Sequence, residues 1–265
     1  MEKSLLVGDF LFVSKFHYGT RTPKTPLQLP LTHQVVWGTE SVPSYLPWIE
    51  LPQFRLPGFT KVKRNDVVVF NWPTDYKYPL DLKTYYIKRC VAAPGDVITI
   101  KDRVVSINGE EQPTPEDMQF KYYIQTDGRL IHERTWKRYD ITDINRTADG
   151  KGYIVDTKPS TAELLKGLDF VENVQIYEHR DINPEIFPDS RKFPWNVDEF
   201  GPLQIPAEGW TIQMTEENVA KYGTTIVYYE HHQDAEVREG RLFIDGEQIN
   251  EYTFNQNYYF MMGDN

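Results

Sequence analysis

The stretch "TYYIKRCVAAPGDVITI", residues 84–100, places Lys88 in the middle of an apolar segment that favours a β-strand. Lysine is depleted in strands and is seldom buried without a partner. Alternation along the strand puts Tyr86, Lys88 and Cys90 on one mostly apolar face. An amine withdrawn from water gives up its proton more readily and can then act as a general base near neutral pH. The structural alternative is a lysine at a strand edge whose ammonium group reaches water past an aromatic neighbour. The residue pattern alone leaves both open.

Other residues whose side chains could act in catalysis or metal binding give weaker signals. His231 and His232 precede Asp234, but neighbouring side chains of a strand point in opposite directions, so a solvated turn is favoured over a metal site. Ser4 and Ser14 are the serines close to the N-terminal apolar segment, and a lone serine is usually not a nucleophile.

The segments around Lys88 indicate β-structure. A buried strand is predicted over residues 67–70, and "YYIKRCV" and "DVITI" predict two further strands that meet at a turn at Pro94-Gly95-Asp96. Asn108-Gly109 and Asp245-Gly246 follow apolar runs and predict tight hairpins. Another strand is predicted from Leu6 onward, through "DFLFVSKF".

The region between these β segments is mixed. "TAELLKGL" and "TEENVAKYG" predict short helices, of which the second has Thr215 as its N-cap and ends at Gly223. We interpret residues 113–238 as a domain inserted into a β core that comprises residues 1–112 and 239–265.

Residues 18–59 form a long segment rich in proline, leucine and aromatic residues, including "VPSYLPWIELPQFRLPGF". Its prolines exclude a long helix or a central strand, and irregular segments of this length are usually functional. Trp37, Tyr45 and Trp48 suit the interface of a lipid bilayer, where amphipathic rings reside. They equally suit a cover over the β core, and the sequence leaves this choice open.

Composition narrows the classes of function. The chain of 265 residues has a formal net charge of −10 and no long basic run, which argues against a nucleic-acid partner. Its single cysteine excludes an internal disulfide. No segment approaches the roughly 20 apolar residues that span a bilayer.

Four motifs follow one another along the chain: "LLVGDFLFVSKF", "RNDVVVF", "YIKRCVAAPGD" and "FMMGDN". In order and character they resemble the conserved boxes of bacterial type I signal peptidases. The resemblance covers both ends and residues 66–100, and leaves residues 18–59 and the middle of the chain unaccounted for. It implies a mainly β fold, in which a signal-peptidase-like coiled β core carries an inserted α/β cap domain.

The resemblance also implies a Ser/Lys dyad, in which Lys88 is the general base that takes the proton of an attacking serine. Phe70, Tyr86 and Met261 would pack against the stem of the lysine. The substrate-binding residues that it implies are Met1, Leu5, Leu11, Val69, Tyr86 and Ile87. Alternation directs Ile87 away from Lys88, so this assignment comes from the family alone. No metal or other cofactor is implied.

The implied activity is the removal of N-terminal signal peptides from secretory preproteins at the outer, periplasmic face of the bacterial cytoplasmic membrane. Signal peptides and the membrane surface are the implied partners. In the family the nucleophilic serine precedes the methionine that Met1 matches, and Ser4 matches a threonine. We therefore expect the nucleophile and a transmembrane anchor to lie outside this chain, and the chain itself to be inactive.

Two alternatives belong to other classes of protein. One is a self-cleaving repressor-type Ser/Lys peptidase, which would need a DNA-binding module. The other is a non-catalytic β-rich module that binds peptides or glycans.

Overall fold

A computed structural model of the chain describes residues 10–178 and 186–264. Antiparallel β-structure dominates these residues, which confirms the mainly β fold predicted from the sequence. The strands are β1 (Val67–Asn71), β2 (Tyr85–Ala92), β3 (Val97–Lys101), β4 (Val104–Ile107), β5 (Glu110–Glu111), β6 (Phe120–Thr126), β7 (Ile144–Arg146), β8 (Gly152–Thr157), β9 (Val171–Ile176), β10 (Phe200–Gln204), β11 (Thr211–Gln213), β12 (Ala235–Arg238), β13 (Arg241–Ile244), β14 (Glu247–Ile249), β15 (Glu251–Thr253) and β16 (Phe260–Met262). The helices are α1 (Glu133–Arg138), α2 (Pro159–Leu165) and α3 (Glu216–Tyr229).

The chain divides into two compact units, each described by itself. Within the described residues, the smaller unit comprises 10–91 and 261–263, and the larger unit comprises 92–260 and 264. The boundary that we predicted between a β core and an inserted domain at residues 113–238 is a different division of the chain and stays a prediction.

A three-stranded sheet of order β1-β2-β16 lies largely in the smaller unit. β1 and β2 pair antiparallel from Val67 opposite Arg89 to Asn71 opposite Tyr85. Two backbone hydrogen bonds between Cys90 and residues 65 and 66, at 2.7 and 2.8 Å, extend this ladder. The strands predicted at 67–70 and through "YYIKRCV" are therefore confirmed.

Residues 20–56, which we call the ribbon, fold back on themselves as two irregular antiparallel segments. Their proline content prevents a continuous ladder, so backbone hydrogen bonds join the two segments only at intervals. These bonds run from Leu56 to Thr20, Thr22 to Phe54, Leu46 to Leu27, Leu29 to Ser44 and Val36 to Val42, at 2.9 to 3.0 Å from N–H to C=O. The segment is thus an extended arm rather than a structureless loop.

Polar contacts fasten the ribbon to the rest of the smaller unit. Asp81 Oδ2 accepts hydrogen bonds from the backbone N–H groups of Lys24 (2.8 Å) and Thr25 (2.9 Å) and from the Thr25 hydroxyl (3.0 Å). Gln34 donates to the carbonyl of Leu82 at 3.0 Å. Burial by itself opposes ionisation of Asp81, but the hydrogen bonds from Thr25 and Lys24 hold its pKa below the ordinary value.

Asp81→Ala should loosen the ribbon without unfolding the protein. Because three donors lose one charged acceptor, we expect the free energy of local opening to fall by roughly 1–3 kcal/mol. Hydrogen exchange of the amides in residues 20–56 measures this change. Glu50→Ala is the matched control, since Glu50 only forms an exposed ion pair with Lys24 at 3.1 Å. Equal exchange in both variants would contradict this role.

The contribution of Asp81 to the stability of the ribbon should depend on pH. Since the pKa of Asp81 is lower in the folded protein, this contribution is present above the unfolded pKa and is lost as the pH falls through the folded pKa.

Residues 10–16 are irregular, and the side chains of Phe10, Phe12 and Phe16 are exposed. The strand predicted from Leu6 onward is therefore wrong over these residues. A strand needs a neighbour that satisfies its backbone groups, and no strand of the described chain pairs with this segment.

A four-stranded antiparallel sheet of order β7-β8-β6-β9, together with α1 and α2, has its own hydrophobic core in the larger unit. The core is formed by Ile124, Trp136, Ile141, Tyr153, Val155, Ala162, Leu165 and Val174. The Trp136 ring lies 5.0 Å from that of Tyr153.

Two three-stranded meanders in the larger unit resemble each other in plan: β3-β4-β5 and β12-β13-β14. In each meander a two-residue hairpin turn joins the last two strands. Both φ angles of the turn are positive, 55° and 84° at Asn108-Gly109 and 52° and 79° at Asp245-Gly246. These angles suit the left-handed hairpin turns that Asn-Gly and Asp-Gly favour, so both predicted hairpins are confirmed.

α3 begins where predicted, because the Thr215 side chain accepts a hydrogen bond from the backbone N–H of Asn218 at 3.2 Å. It does not end at Gly223, and that prediction is wrong. A Cβ at Gly223 would lie 2.9 Å from Val237 Cγ2 of β12. The glycine therefore allows the strand to approach the helix closely, and the helix continues to Tyr229.

Candidate active site

The antiparallel register of β1 and β2 determines the neighbours of Lys88. Lys88 lies directly opposite Val68, and Tyr86 lies directly opposite Phe70. Since directly opposed residues share a face of the sheet, Val68 and Phe70 lie on the same face as Lys88 and Tyr86. The register thus brings together three residues for which a common role was predicted: Phe70, Tyr86 and Lys88.

Burial changes steadily along this face. Cys90 is fully buried, Lys88 is half-buried, and Tyr86 is 37% exposed. Lys88 therefore lies where the interior of the unit gives way to the surface. A general base needs this position, because its amine must be partly withdrawn from water and still be reached by a reacting group.

The opposite face of the two strands carries Val69 directly opposite Ile87. The same face carries Asn71, whose side-chain oxygen accepts a hydrogen bond from Arg21 of the ribbon at 3.1 Å. The structure thus brings Val69 and Ile87 together, but on the face that does not carry Lys88.

The remaining predicted residues lie elsewhere. Met261 is a half-buried residue of β16, the strand beside β2 in the sheet. Leu11 is in the irregular segment that precedes the ribbon and is half exposed. Met1 and Leu5 lie outside the described residues.

Two neighbours of the residues on this face were not predicted. Val68 faces Lys88 across the strand pair, and the Trp72 ring lies 4.5 Å from the Tyr86 ring. Both residues lie two positions from Phe70, so alternation along β1 predicts that they share its face. The pairing register of β1 and β2, which brings them beside Lys88 and Tyr86, is set by the irregular connection at residues 72–84. The sequence of this connection does not predict that register.

A serine and a histidine do meet near the start of the described chain. His17 Nδ1 lies 2.7 Å from Ser14 Oγ, and both side chains are exposed. The described residues place no carboxylate in hydrogen-bond contact with this imidazole, so the orienting member of a catalytic triad is missing from this pair. Lys88 remains the better candidate for a base.

Metal chemistry and membrane spanning can be assessed for residues 10–178 and 186–264. Nowhere in these ranges do three or more histidine, cysteine, aspartate or glutamate side chains come together as a metal site would need. Within the same ranges, none of the helices has the length and apolar character required to cross a bilayer.

The part of the chain that contains this arrangement matches a known protein family. Residues 1–182 match the family described as "Signal peptidase, peptidase S26". The chain belongs to the signal peptidase S26 family. The matched region contains β1 and β2, and hence Lys88 and the residues opposite it. The resemblance inferred from the four motifs is thereby confirmed.

Relatives named signal peptidase I occur in several bacteria. The chain is 31% identical to that of Helicobacter pylori over 130 residues, which cover 46% of this chain and 36% of the relative. It is 34% identical to that of Pseudomonas aeruginosa over 111 residues, with 42% of this chain and 28% of the relative covered. The signal peptidase I of Rickettsia canadensis is 23% identical over 228 residues, with 77% and 74% covered.

The match to the Helicobacter protein thus spans about a third of that relative's length. No solved structure matches the chain.

Proposed function

We propose that this protein is a serine endopeptidase that removes N-terminal signal peptides from secretory preproteins at the outer face of the cytoplasmic membrane. The observation that supports the proposal most directly is the position of Lys88. It lies half-buried on β2, between fully buried Cys90 and partly exposed Tyr86, in the part of the chain that matches the signal peptidase family.

In the proposed reaction the neutral amine of Lys88 accepts the proton of a serine hydroxyl. The serine oxygen attacks the carbonyl carbon of the scissile peptide and forms a tetrahedral intermediate. When that intermediate collapses, the C–N bond breaks and the ammonium group of Lys88 returns its proton to the leaving amine. A water molecule then attacks the ester carbon of the acyl-enzyme while Lys88 takes its proton, the C–O bond to serine breaks, and Lys88 returns the proton to the serine oxygen.

We propose that the residues around the Lys88 side chain shield its stem from water. Phe70 and Tyr86 are directly opposed across the two strands on the face that carries Lys88. Together with Met261, we assign them to the wall around the stem of the lysine. Aliphatic and aromatic groups there would limit the contact of the lysine stem with water.

The proposal extends to the substrate pocket by the family resemblance. We assign the residues that contact the substrate around the cleavage site to Met1, Leu5, Leu11, Val69, Tyr86 and Ile87. We likewise propose that residues 113–238 form a domain inserted into the β core.

Cleavage of a defined preprotein tests this function. The natural protein, expressed from its own gene and purified in detergent, is incubated with a secretory preprotein, and the N-terminus of the product is sequenced. We expect one cut, after a small residue at the end of the signal peptide. Failure to cut, or cuts scattered through the mature region, would contradict the proposal.

Ile87→Ala should widen the range of residues that the enzyme accepts at the cleavage site. Removing three carbon atoms from a pocket wall changes discrimination by about 1–3 kcal/mol, or roughly 10–200-fold between two substrates. Cleavage rates for preproteins that carry alanine, valine or leucine before the cut measure this change.

Arg89→Ala provides the matched control, because Arg89 follows Ile87 on the same face of β2. An unchanged preference in Ile87→Ala would remove Ile87 from the pocket. That result would fit its position on the face opposite Lys88.

A further inference from the structure

The backbone of Trp72 is fixed on both sides. Its N–H donates to the Thr84 carbonyl at 2.7 Å, which extends the pairing of β1 and β2 by one residue beyond Asn71. Its carbonyl accepts a hydrogen bond from the N–H of Asp75 at 3.3 Å, across a turn that has Pro73 at its second position. The indole therefore projects from a held part of the chain, although Trp72 lies at the start of the irregular connection to β2.

The Asp75 carboxylate ties this turn to the residue that precedes β2. Its Oδ2 accepts hydrogen bonds from the N–H and the hydroxyl of Thr84, both at 3.1 Å, and from the Gln34 amide of the ribbon at 3.3 Å. Binding costs less entropy when the contacting group is already ordered. The frame around Trp72 supplies this order before any substrate arrives.

The indole packs beside a side chain of the candidate site. Its ring centre lies 4.5 Å from that of Tyr86, and the two ring planes are inclined by 34°. Trp72 follows Phe70 by two positions, so it continues the face of the sheet that carries Lys88. Trp72 and Tyr86 remain 39% and 37% exposed, so the Trp72–Tyr86 pair presents an apolar surface to the solvent.

The pair lies at a defined distance from the proposed general base. Lys88 lies opposite Val68, and Trp72 is four residues beyond Val68 along the chain. At about 3.3 Å per residue, the Trp72 backbone is roughly 13 Å from the level of Lys88, and an extended peptide covers that distance in about four residues. The scissile peptide must lie beside the Lys88 amine for the proposed reaction. A substrate that runs along this face thus brings the fourth residue from the cut to the Trp72–Tyr86 pair.

The chemistry of the pair decides which side of the cut it contacts. In a signal peptide an apolar run precedes the small residues of the cleavage site. The residues after the cut belong to the mature protein and carry no apolar pattern that forms part of this signal. Contact between an aliphatic side chain and the two rings is favourable, because apolar surface is removed from water. The pair therefore suits the apolar end of the signal peptide.

We infer that Trp72 is a specificity-determining residue, which together with Tyr86 binds an apolar side chain of the signal peptide about four residues before the cut. The inference rests on the proposed function, which supplies the substrate. It adds a preference at a position remote from the scissile bond, set by contact with the indole and not by the chemistry at Lys88.

Two preproteins that differ only at the fourth residue before the cut, leucine in one and serine in the other, test this inference with the natural protein in detergent. We expect the unchanged enzyme to prefer the leucine preprotein, and Trp72→Ala to lower the ratio of the two kcat/KM values about tenfold. The change should lie in KM, with kcat nearly constant, because the contact persists from the bound substrate to the transition state. Trp72→Phe should retain most of the preference.

Two further variants complete the comparison. In Trp72→Gln the side chain keeps much of its length but loses its apolar surface, so this variant should lose the preference as Trp72→Ala does. Trp37 of the ribbon is also an exposed tryptophan, at 69%, and Trp37→Ala should leave the ratio unchanged. Because the preference is a ratio of two rates from one preparation, a fraction of unfolded protein does not alter it.

Equal losses of cleavage on both preproteins in Trp72→Ala and Trp72→Gln would overturn the inference, since the indole would then only support Tyr86. A similar fall of the ratio in Trp37→Ala would also overturn it. A second pair of preproteins varies the fourth residue after the cut, and an effect of Trp72→Ala confined to that pair would place the contact on the wrong side. Absence of cleavage by the unchanged enzyme would contradict the proposed function itself and, with it, the substrate named here.

Discussion

Replacing Lys88 with arginine should reduce the rate of signal-peptide cleavage by about 10²–10⁴-fold, as completely as replacement with alanine. Arginine keeps a positive charge and a long side chain, but it retains its proton at any pH at which the protein is folded. Charge and bulk are thus conserved, and only the capacity to accept a proton is lost. Initial rates of preprotein cleavage by the natural protein and its variants measure the effect.

Two controls separate this role from a general disturbance. Lys77→Arg makes the same exchange at an exposed position, where the ammonium group lies 5.2 Å from the centre of the Tyr78 ring, and should leave the rate unchanged. Ser14→Ala breaks the exposed contact with His17 and should also have no effect. Substantial activity in Lys88→Arg would exclude the general base. Loss of activity in Ser14→Ala would make Ser14 the nucleophile.

Trp136→Ala should destabilise the larger unit by about 3–5 kcal/mol. Trp136 is 1% exposed and contacts Tyr153 and Phe170, with ring centres 5.0 and 6.5 Å away. Its removal leaves a large cavity between α1 and the sheet that contains β8. Urea denaturation followed by circular dichroism measures the free energy of unfolding.

Trp136→Phe and Leu164→Ala are informative comparisons. The indole N–H of Trp136 has no hydrogen-bond partner among the described residues, so phenylalanine removes a buried polar group along with part of the ring. We expect this change to cost clearly less than alanine does. Leu164 is a largely exposed residue of α2, and its replacement should shift the free energy by no more than about 0.5 kcal/mol. Similar losses in all three variants would contradict a core role for Trp136.

The sequence predicts those parts of the fold that depend on local interactions. Thr215 begins α3, and Asn108-Gly109 and Asp245-Gly246 make hairpins, because caps and tight turns are decided by a few neighbouring residues. The role of Gly223 depends on Val237, which the reversal of the chain between α3 and β12 brings close, so the local sequence does not predict it. Tertiary packing here overrides the local preference of glycine for helix ends.

The candidate site also combines features that neighbouring residues decide with features that depend on tertiary packing. Alternation alone places Tyr86 and Lys88 on one face, and the register then adds Phe70 to that face. The opposition of Val68 to Lys88 was not predictable, because the pairing of β1 with β2 is set through residues 72–84, which carry no repeating pattern. The ribbon was unpredictable for a related reason: its proline-interrupted halves associate through scattered hydrogen bonds and not through a strand pattern.

The place of β16 beside β2 has a consequence for biosynthesis. β2 ends at Ala92 and β16 begins at Phe260, so nearly the whole larger unit is translated between the two. While the ribosome is still making that unit, β2 has β1 as a neighbour but lacks its other one. Pairings between such distant segments form late, because closing a long loop costs entropy before any contact is gained. The sheet that carries Lys88 is therefore completed only after translation has passed residue 262, by which time the larger unit has had time to begin folding.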